Sequence, residues 1–120
     1  MTQLDAAPFA LPEQPAEADL VAKYFRALGD PTRVRILALL RQRERSVGEL
    51  VTALGAGQPR VSNHLACLRW CGFVESRREH RTVSYRLADE RVGTLLDTGH
   101  ALLADNAEHL AACRRIDGRC

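Results

Sequence analysis

Two short predicted helices joined by a glycine-containing turn, then an arginine-rich pair of strands and a long apolar helix, predict a mainly α (α+β) fold, the winged helix-turn-helix. The chain has 120 residues, of which 46% are hydrophobic, enough for one small core. We expect residues 18–113 to form this single domain. Residues 1–17, with three of the five prolines, are expected to be a flexible N-terminal arm, and residues 114–120 a C-terminal tail.

The first predicted helix covers ADLVAKYFRALG and ends at Gly29, since glycine commonly terminates helices. Asp30 is a typical N-cap and Pro31 a favoured first-turn residue, so the second helix begins there. The side chains expected to face inward from it are Val34, Ile36, Leu37 and Leu40.

The helix-turn-helix is predicted from two helix starts close together. Ser46 and Glu49 have the spacing of a capping box, which opens a short helix, VGELVTALG. The turn AGQPR follows, and the next helix extends from Gln58 to Cys71, where Gly72 ends it. This second helix is the expected DNA-reading element.

The wing and the last helix are predicted from the spacing of apolar residues, which changes after Gly72 from a helical period to alternation. The segment FVESRREHRTVSYRLA predicts a two-stranded β-hairpin with a charged turn near Glu79 to Arg81. Asp89 then caps one long final helix, ERVGTLLDTGHALLADNAEHLAACRR. Its apolar stripe exceeds what a small domain covers, so we expect a homodimer formed through the first and last helices.

Charge is concentrated where this fold would meet DNA. Residues 58–86 hold six arginines against two acids, in a chain whose net charge is only +2. On a helical wheel Val61, Leu65 and Leu68 pack inward, whereas the side that carries His64 and both recognition-helix cysteines is expected to be exposed. The expected contacts to double-stranded DNA are Gln58, Arg60, Ser62, Asn63 and His64 on the helix, and Arg77, Arg78, His80 and Arg81 on the wing.

The same helix carries two thiols. Cys67 and Cys71 are four residues apart, so they share one face and lie near enough to bind one ion. A tight soft-metal site needs a third or fourth thiolate, for which Cys113 and Cys120 are the remaining sulfur candidates. Thiolate ligands favour soft or borderline ions: cadmium, lead, mercury, arsenite, copper(I) or zinc.

Four segments resemble the ArsR/SmtB family of dimeric, metal-responsive winged-helix repressors: ALGDPTRVRILALL, VGELVTALG, VSNHLACLR and VSYRLAD. The segment SNHLACLRWCG is similar to the CmtR-type cadmium- and lead-sensing branch. The resemblance implies that Cys67 and Cys71 bind metal together with Cys113 from the partner subunit, and that metal binding releases the operator. Three thiolates without nitrogen ligands favour cadmium or lead as the effector, with zinc, mercury or arsenite as alternatives.

Other sites that the resemblance brings to mind are incomplete in this sequence. Relatives with a C-x-C at the start of the helix-turn-helix differ from this chain, which has Ser46-Val47-Gly48. Asp97 and His100 are spaced i, i+3 on the final helix, and His109 is followed three residues later by alanine. A nitrogen and oxygen site on that helix is therefore not expected.

A metal-responsive repressor has three alternatives. A thiol redox or persulfide regulator would use the same fold and cysteines. A thiol enzyme needs a C-x-x-C at a helix start or a cysteine with an orienting histidine and acid, and neither spacing is present, so no enzymatic activity is expected. An interaction module with structural zinc would unfold on chelation. With no apolar run of membrane-spanning length and no signal peptide, the expected location is cytoplasmic.

Overall fold

A computed structural model describes residues 16–113, and the expected N-terminal arm, the C-terminal tail and Cys120 lie outside this range, apart from Ala16 and Glu17. The first helix begins at Glu17, one residue before the expected domain start. The elements in chain order are α1 (Glu17–Ala27), α2 (Pro31–Gln42), β1 (Arg45–Ser46), α3 (Val47–Leu54), α4 (Gln58–Trp70), β2 (Val74–Glu79), β3 (Thr82–Leu87), α5 (Glu90–Ala104) and α6 (Ala107–Ala112).

The predicted helix starts are confirmed by their caps. The Asp30 carboxylate accepts hydrogen bonds from the backbone N–H groups of Thr32 (2.8 Å) and Arg33 (3.2 Å) at the start of α2. At α3 both bonds of the capping box form: the Glu49 N–H donates to Ser46 Oγ (3.1 Å), and the Ser46 N–H donates to Glu49 Oε1 (2.9 Å). These local bonds fix where α2 and α3 begin, whereas α4 begins after Gly57 with no side-chain cap and with a proline in its first turn.

One core joins the helix-turn-helix to the sheet. Its fully buried side chains come from α2, α3, α4 and the start of β2: Phe73, Ile36, Leu37, Leu50, Leu65, Leu68 and Val61. Val34, expected inward, is only half-buried. Because three of these residues lie on one side of α4, the opposite side of that helix faces outward.

The predicted two-stranded hairpin is confirmed, and a third, two-residue strand that was not predicted joins it. β2 and β3 pair antiparallel from Val74 opposite Leu87 to Glu79 opposite Thr82, and β1 adds to the free edge of β3. In that edge Arg45 pairs with Tyr85. A two-residue strand shows no alternation in sequence; it forms because the N-cap of α3 is already extended there.

The final helix is interrupted, which also differs from the single long helix expected. α5 ends at Ala104, and α6 begins at Ala107 after the pair Asp105-Asn106. Aspartate and asparagine have low helix propensity, so the pair separates two helices whose apolar pattern is continuous, although Asn106 makes no side-chain cap bond to α6.

An apolar surface extends over α1 and α5. Phe25 is 50% exposed and Leu102 71% exposed. A groove of about 440 Å³ lies between α1, α2 and α5, and it is lined mainly by Phe25, Leu28, Val34, Leu95, Leu96, Leu102 and Leu103. Among residues 16–113 no helix is both long and apolar enough to cross a lipid bilayer.

Candidate nucleic-acid interface and thiol site

The first two turns of α4 present polar side chains outward. Burial of Val61, Leu65 and Leu68 fixes the rotation of the helix about its axis. Four of the five predicted DNA contacts on this helix are exposed as a result, and we call them the reading face: Gln58, Arg60, Ser62 and Asn63. Arginine, serine and asparagine side chains all donate or accept hydrogen bonds at base edges and phosphates.

The fifth predicted contact, His64, is not on this face. Its side chain is only 13% exposed, and its Nδ1 accepts a hydrogen bond from Arg33 Nε of α2 at 3.1 Å. The expectation that His64 is exposed is therefore wrong. The helical wheel places it 60° from Val61, but the wheel does not show that α2 covers this flank of α4.

On the wing, three of the four predicted contacts are exposed and make no side-chain hydrogen bond within residues 16–113: Arg78, His80 and Arg81. His80 has a φ of +59° at the hairpin tip, a left-handed conformation that is uncommon for a residue other than glycine. Arg77 differs, because its guanidinium donates to Glu44 Oε2 at 2.7 and 3.2 Å. That ion pair holds the base of the wing and neutralises one of the three arginines predicted to contact DNA there.

The two thiols of α4 lie on the same covered side as His64, and we call these three residues the thiol flank. Cys67 and Cys71 are half-buried and pack against the edge of the core. The expectation that they are exposed beside the DNA contacts is wrong. The thiols lie at the boundary between the core and solvent, where α1 and α2 approach α4.

The Cys71 thiol has a raised pKa, above its ordinary value of 9.0. Burial is the main cause, and the neighbouring Cys67 adds to it both electrostatically and through a hydrogen bond between the two side chains. The positive charges of Arg33 and Lys23 act in the opposite direction. The two sulfur atoms are thus near each other.

Residues of α1 complete the surroundings of the thiols. Burial raises the pKa of Tyr24, and the electrostatic influence of Cys71 raises it further, which places the phenol close to that thiol. The Tyr24 ring packs on Phe73 with ring centroids 4.3 Å apart. No pattern in the sequence indicates Tyr24 or Arg33 as neighbours of the thiols, because both are distant along the chain.

Within one protomer the thiols lack a further ligand. No group of three or more His, Cys, Asp or Glu side chains in residues 16–113 is arranged to hold a metal ion. Cys113, the predicted third ligand, follows α6 directly and is half-buried there. The predicted fourth, Cys120, lies outside the described residues. The donors present fit a soft ion as two ligands of a larger set.

Comparison with known proteins agrees with the winged helix-turn-helix fold. The family model described as "Bacterial regulatory protein, arsR family" matches residues 30–76, which extend from Asp30 into β2. A probable mercury resistance operon repressor of Streptomyces lividans is 45% identical over 100 residues, covering 83% of this chain and 80% of that one. The chain belongs to the ArsR family. It is a DNA-binding transcriptional repressor of that family and not an enzyme.

Two further proteins are similar to this chain. The regulator CmtR of Mycobacterium tuberculosis is 46% identical over 76 residues, which cover 63% of this chain and 64% of that one. A solution structure from Mycobacterium bovis, titled a homodimeric winged helix-turn-helix DNA-binding domain and a possible ArsR-family regulator, has a TM-score of 0.67 at 35% identity. It covers 80% of this chain and 92% of that one.

The nitrogen- and oxygen-bearing side chains considered on α5 and α6 make other contacts or lie on different surfaces. The Asp97 carboxylate accepts a hydrogen bond from Arg41 Nη2 at 2.5 Å. Arg41 crosses α5 directly over Gly93, where a side chain would collide with the guanidinium at 2.5 Å. His100 lines the apolar groove, and His109 is exposed on α6.

Proposed function

We propose that this protein is a homodimeric repressor whose grip on operator DNA weakens when a soft metal ion binds Cys67 and Cys71. The proposal depends on one observation: two adjacent, half-buried thiols lie at the C-terminal half of the helix whose exposed N-terminal turns present the reading face. An ion bound there contacts no base, yet it acts on the element that positions every base contact.

Cadmium or lead is the effector that we propose, with mercury, arsenite and zinc as the other ions to test. Neighbouring thiolates favour soft ions, and no group of three or more His, Cys, Asp or Glu side chains in residues 16–113 adds a nitrogen or oxygen ligand to them. The similarity to a probable mercury resistance repressor and to CmtR supports a soft-metal response.

The third thiolate is proposed to come from Cys113 of a second copy, with Cys120 as a fourth ligand. The described residues of one chain supply no third donor beside the two thiols. The apolar surface of α1 and α5 supports a dimer, because fully burying a leucine or phenylalanine side chain contributes about 1.5–3 kcal/mol. Cys113 follows directly after α6, beyond that surface, so a dimer through α1 and α5 brings the C-terminal segment of one copy toward the other.

Operator binding is proposed to use the reading face in the major groove and Arg78, His80 and Arg81 of the wing against the neighbouring backbone. Dimers contact half-sites about one helical turn apart, so both reading helices must keep their spacing and tilt. A metal that joins α4 of one copy to the C-terminal segment of the other changes that relation. An ion that binds the DNA-free form tenfold more tightly weakens DNA binding tenfold, which is about 1.4 kcal/mol.

A redox or persulfide regulator is the second function that these cysteines allow. Reactive cysteines of that kind have a lowered pKa and are exposed. Cys71 has a raised pKa caused mainly by its burial, and it is half-buried. These two properties favour the metal response.

The test uses duplex DNA selected from a random pool by the metal-free protein. Operator affinity is measured with cadmium, lead, mercury, arsenite and zinc in turn, and then with peroxide or polysulfide in metal-free buffer. We expect at least a tenfold loss of affinity with cadmium or lead, together with thiolate-to-metal absorbance. Cys67→Ser and Cys71→Ser should abolish both effects, and Ser76→Ala on β2 is the matched control. If the serine variants still release DNA with metal, the thiols are not the sensor.

A further inference from the structure

Arg33 joins three parts of the molecule through hydrogen bonds. Its Nη1 donates to the carbonyl oxygen of Ala27 at the end of α1 (3.2 Å), and its Nε donates to His64 Nδ1 on α4 (3.1 Å). Its own backbone N–H donates to the capping carboxylate of Asp30 (3.2 Å). One guanidinium therefore ties the reading helix to the junction of α1 and α2.

The bond to Arg33 also fixes the form of the His64 ring. A guanidinium only donates, so Nδ1 must be the acceptor and the ring proton is on Nε2. Nε2 lies 4.0 Å from Asp30 Oδ1, which is too long for a direct hydrogen bond. With its side chain 13% exposed, the ring is held between α2 and α4 and does not reach out toward a DNA groove.

We propose that His64 and Arg33 form a latch that holds α4 in its DNA-binding orientation, so that His64 is a positioning residue and makes no contact with DNA. The inference rests on the proposed function in one respect, namely that α4 is the helix that reads the operator. Helix–helix packing through apolar side chains alone fixes α4 less strictly, because a hydrogen bond constrains both distance and angle.

The position of the latch also connects it with the thiols. His64 is one turn before Cys67 on the same flank, so a force applied at the thiols acts on α4 next to the Arg33 bond. A displacement of the reading helix at the thiols would therefore lengthen the Arg33–His64 hydrogen bond between α2 and α4. Metal release of DNA should then require an intact latch to give its full amplitude.

Salt dependence of operator binding separates a positioning residue from a DNA contact. Loss of one phosphate contact lowers the slope of log affinity against log salt by about 1. We expect His64→Ala to weaken operator binding about tenfold with an unchanged slope. Arg60→Gln on the reading face should weaken binding and reduce the slope. A reduced slope for His64→Ala would mean that the ring contacts DNA, and the latch would be wrong.

Two matched comparisons test the bond itself. Arg33→Gln should reproduce the loss seen in His64→Ala, and the double variant should be no weaker than either single one, because both changes remove the same interaction. His64→Asn should restore part of the affinity, since its amide oxygen lies near the position of Nδ1. Arg35→Gln changes an exposed arginine of the same helix that makes no side-chain hydrogen bond within residues 16–113, so it should have little effect. Additive losses would overturn the proposal.

A measurement without DNA tests the latch even if the proposal that α4 reads the operator is wrong. Amide hydrogen exchange of the metal-free protein reports how readily α4 separates from α2. In His64→Ala we expect exchange to increase at least fivefold for α4 amides relative to those of α5, whereas Arg35→Gln should leave the ratio unchanged. Equal protection of α4 in wild type and His64→Ala would overturn the latch, whatever the result with DNA.

Discussion

The reading face and the thiol flank of α4 differ in the contacts that their side chains make with the rest of the domain. On the reading face, Ser62 and Asn63 are exposed and make no side-chain hydrogen bond within residues 16–113. On the thiol flank, His64 is hydrogen-bonded to Arg33, and Cys67 and Cys71 are half-buried against the core. One helix of 13 residues, with its C-cap Cys71, thus combines a surface that is free to bind with a surface that is fixed to the rest of the domain.

The difference between the two sides shows how an effector can act on DNA binding without touching DNA. Side chains on the reading face set which bases are preferred, while the contacts behind them set where the helix lies. An ion that binds the thiol flank competes with those rear contacts. Separate changes on the two sides should therefore give separable effects.

The largest expected effect tests the core beneath both sides. Leu65→Ala removes a fully buried side chain that anchors α4, and we expect the free energy of unfolding to fall by about 2–5 kcal/mol. Ser62→Ala on the reading face should change it by less than about 0.5 kcal/mol. Urea unfolding measures both variants. Similar losses in the two would mean that the faces are not as different as their burial indicates.

The next effect concerns operator binding without metal. Asn63→Ala should weaken binding by about 1–3 kcal/mol, the usual contribution of a side chain that hydrogen-bonds a base edge. Cys67→Ser should weaken it less than twofold, because serine occupies nearly the same volume on the flank. Fluorescence anisotropy with the selected operator gives both constants. A larger loss for the serine variant than for Asn63→Ala would reverse the assigned roles.

A pH series tests the thiol flank directly. The pKa of Cys71 is above 9.0 in the folded protein, chiefly through burial, so this thiol keeps its proton at neutral pH. Metal binding must displace that proton. The proton of Cys71 alone should therefore make the apparent cadmium affinity rise tenfold per pH unit between pH 6 and 8. Isothermal titration at several pH values gives the slope. Cys71→Ser should lower the slope by one, and an unchanged slope would exclude Cys71 as a ligand.

The smallest effect is expected at Trp70, which is the only tryptophan of the chain and is 92% exposed. It buries almost no surface, so Trp70→Phe should change the free energy of unfolding by less than about 0.5 kcal/mol. The emission of wild type should be that of a solvated indole. Blue-shifted emission from the free protein would show that this end of α4 is covered in solution.

Local signals predicted the fold well and the site only in part. The caps at Asp30 and Ser46 and the first-turn proline of α4 depend on neighbouring residues, so the starts of α2, α3 and α4 were predictable from sequence. The third strand depends on pairing between Arg45 and Tyr85, forty residues apart, and has no local pattern. The burial of His64 depends on α2 in the same way. A helical wheel assigns faces to α4 but does not show which neighbour covers its flank.

Reciprocal binding tests the central claim most directly, since coupling between two ligands must be the same in both directions. Cadmium affinity is to be measured for the free dimer and for the dimer saturated with selected operator DNA. We predict that operator DNA weakens cadmium binding by the same factor, at least tenfold, by which cadmium weakens operator binding, and that Cys67→Ser removes the difference. Equal cadmium affinity in the free and DNA-bound protein would contradict the account.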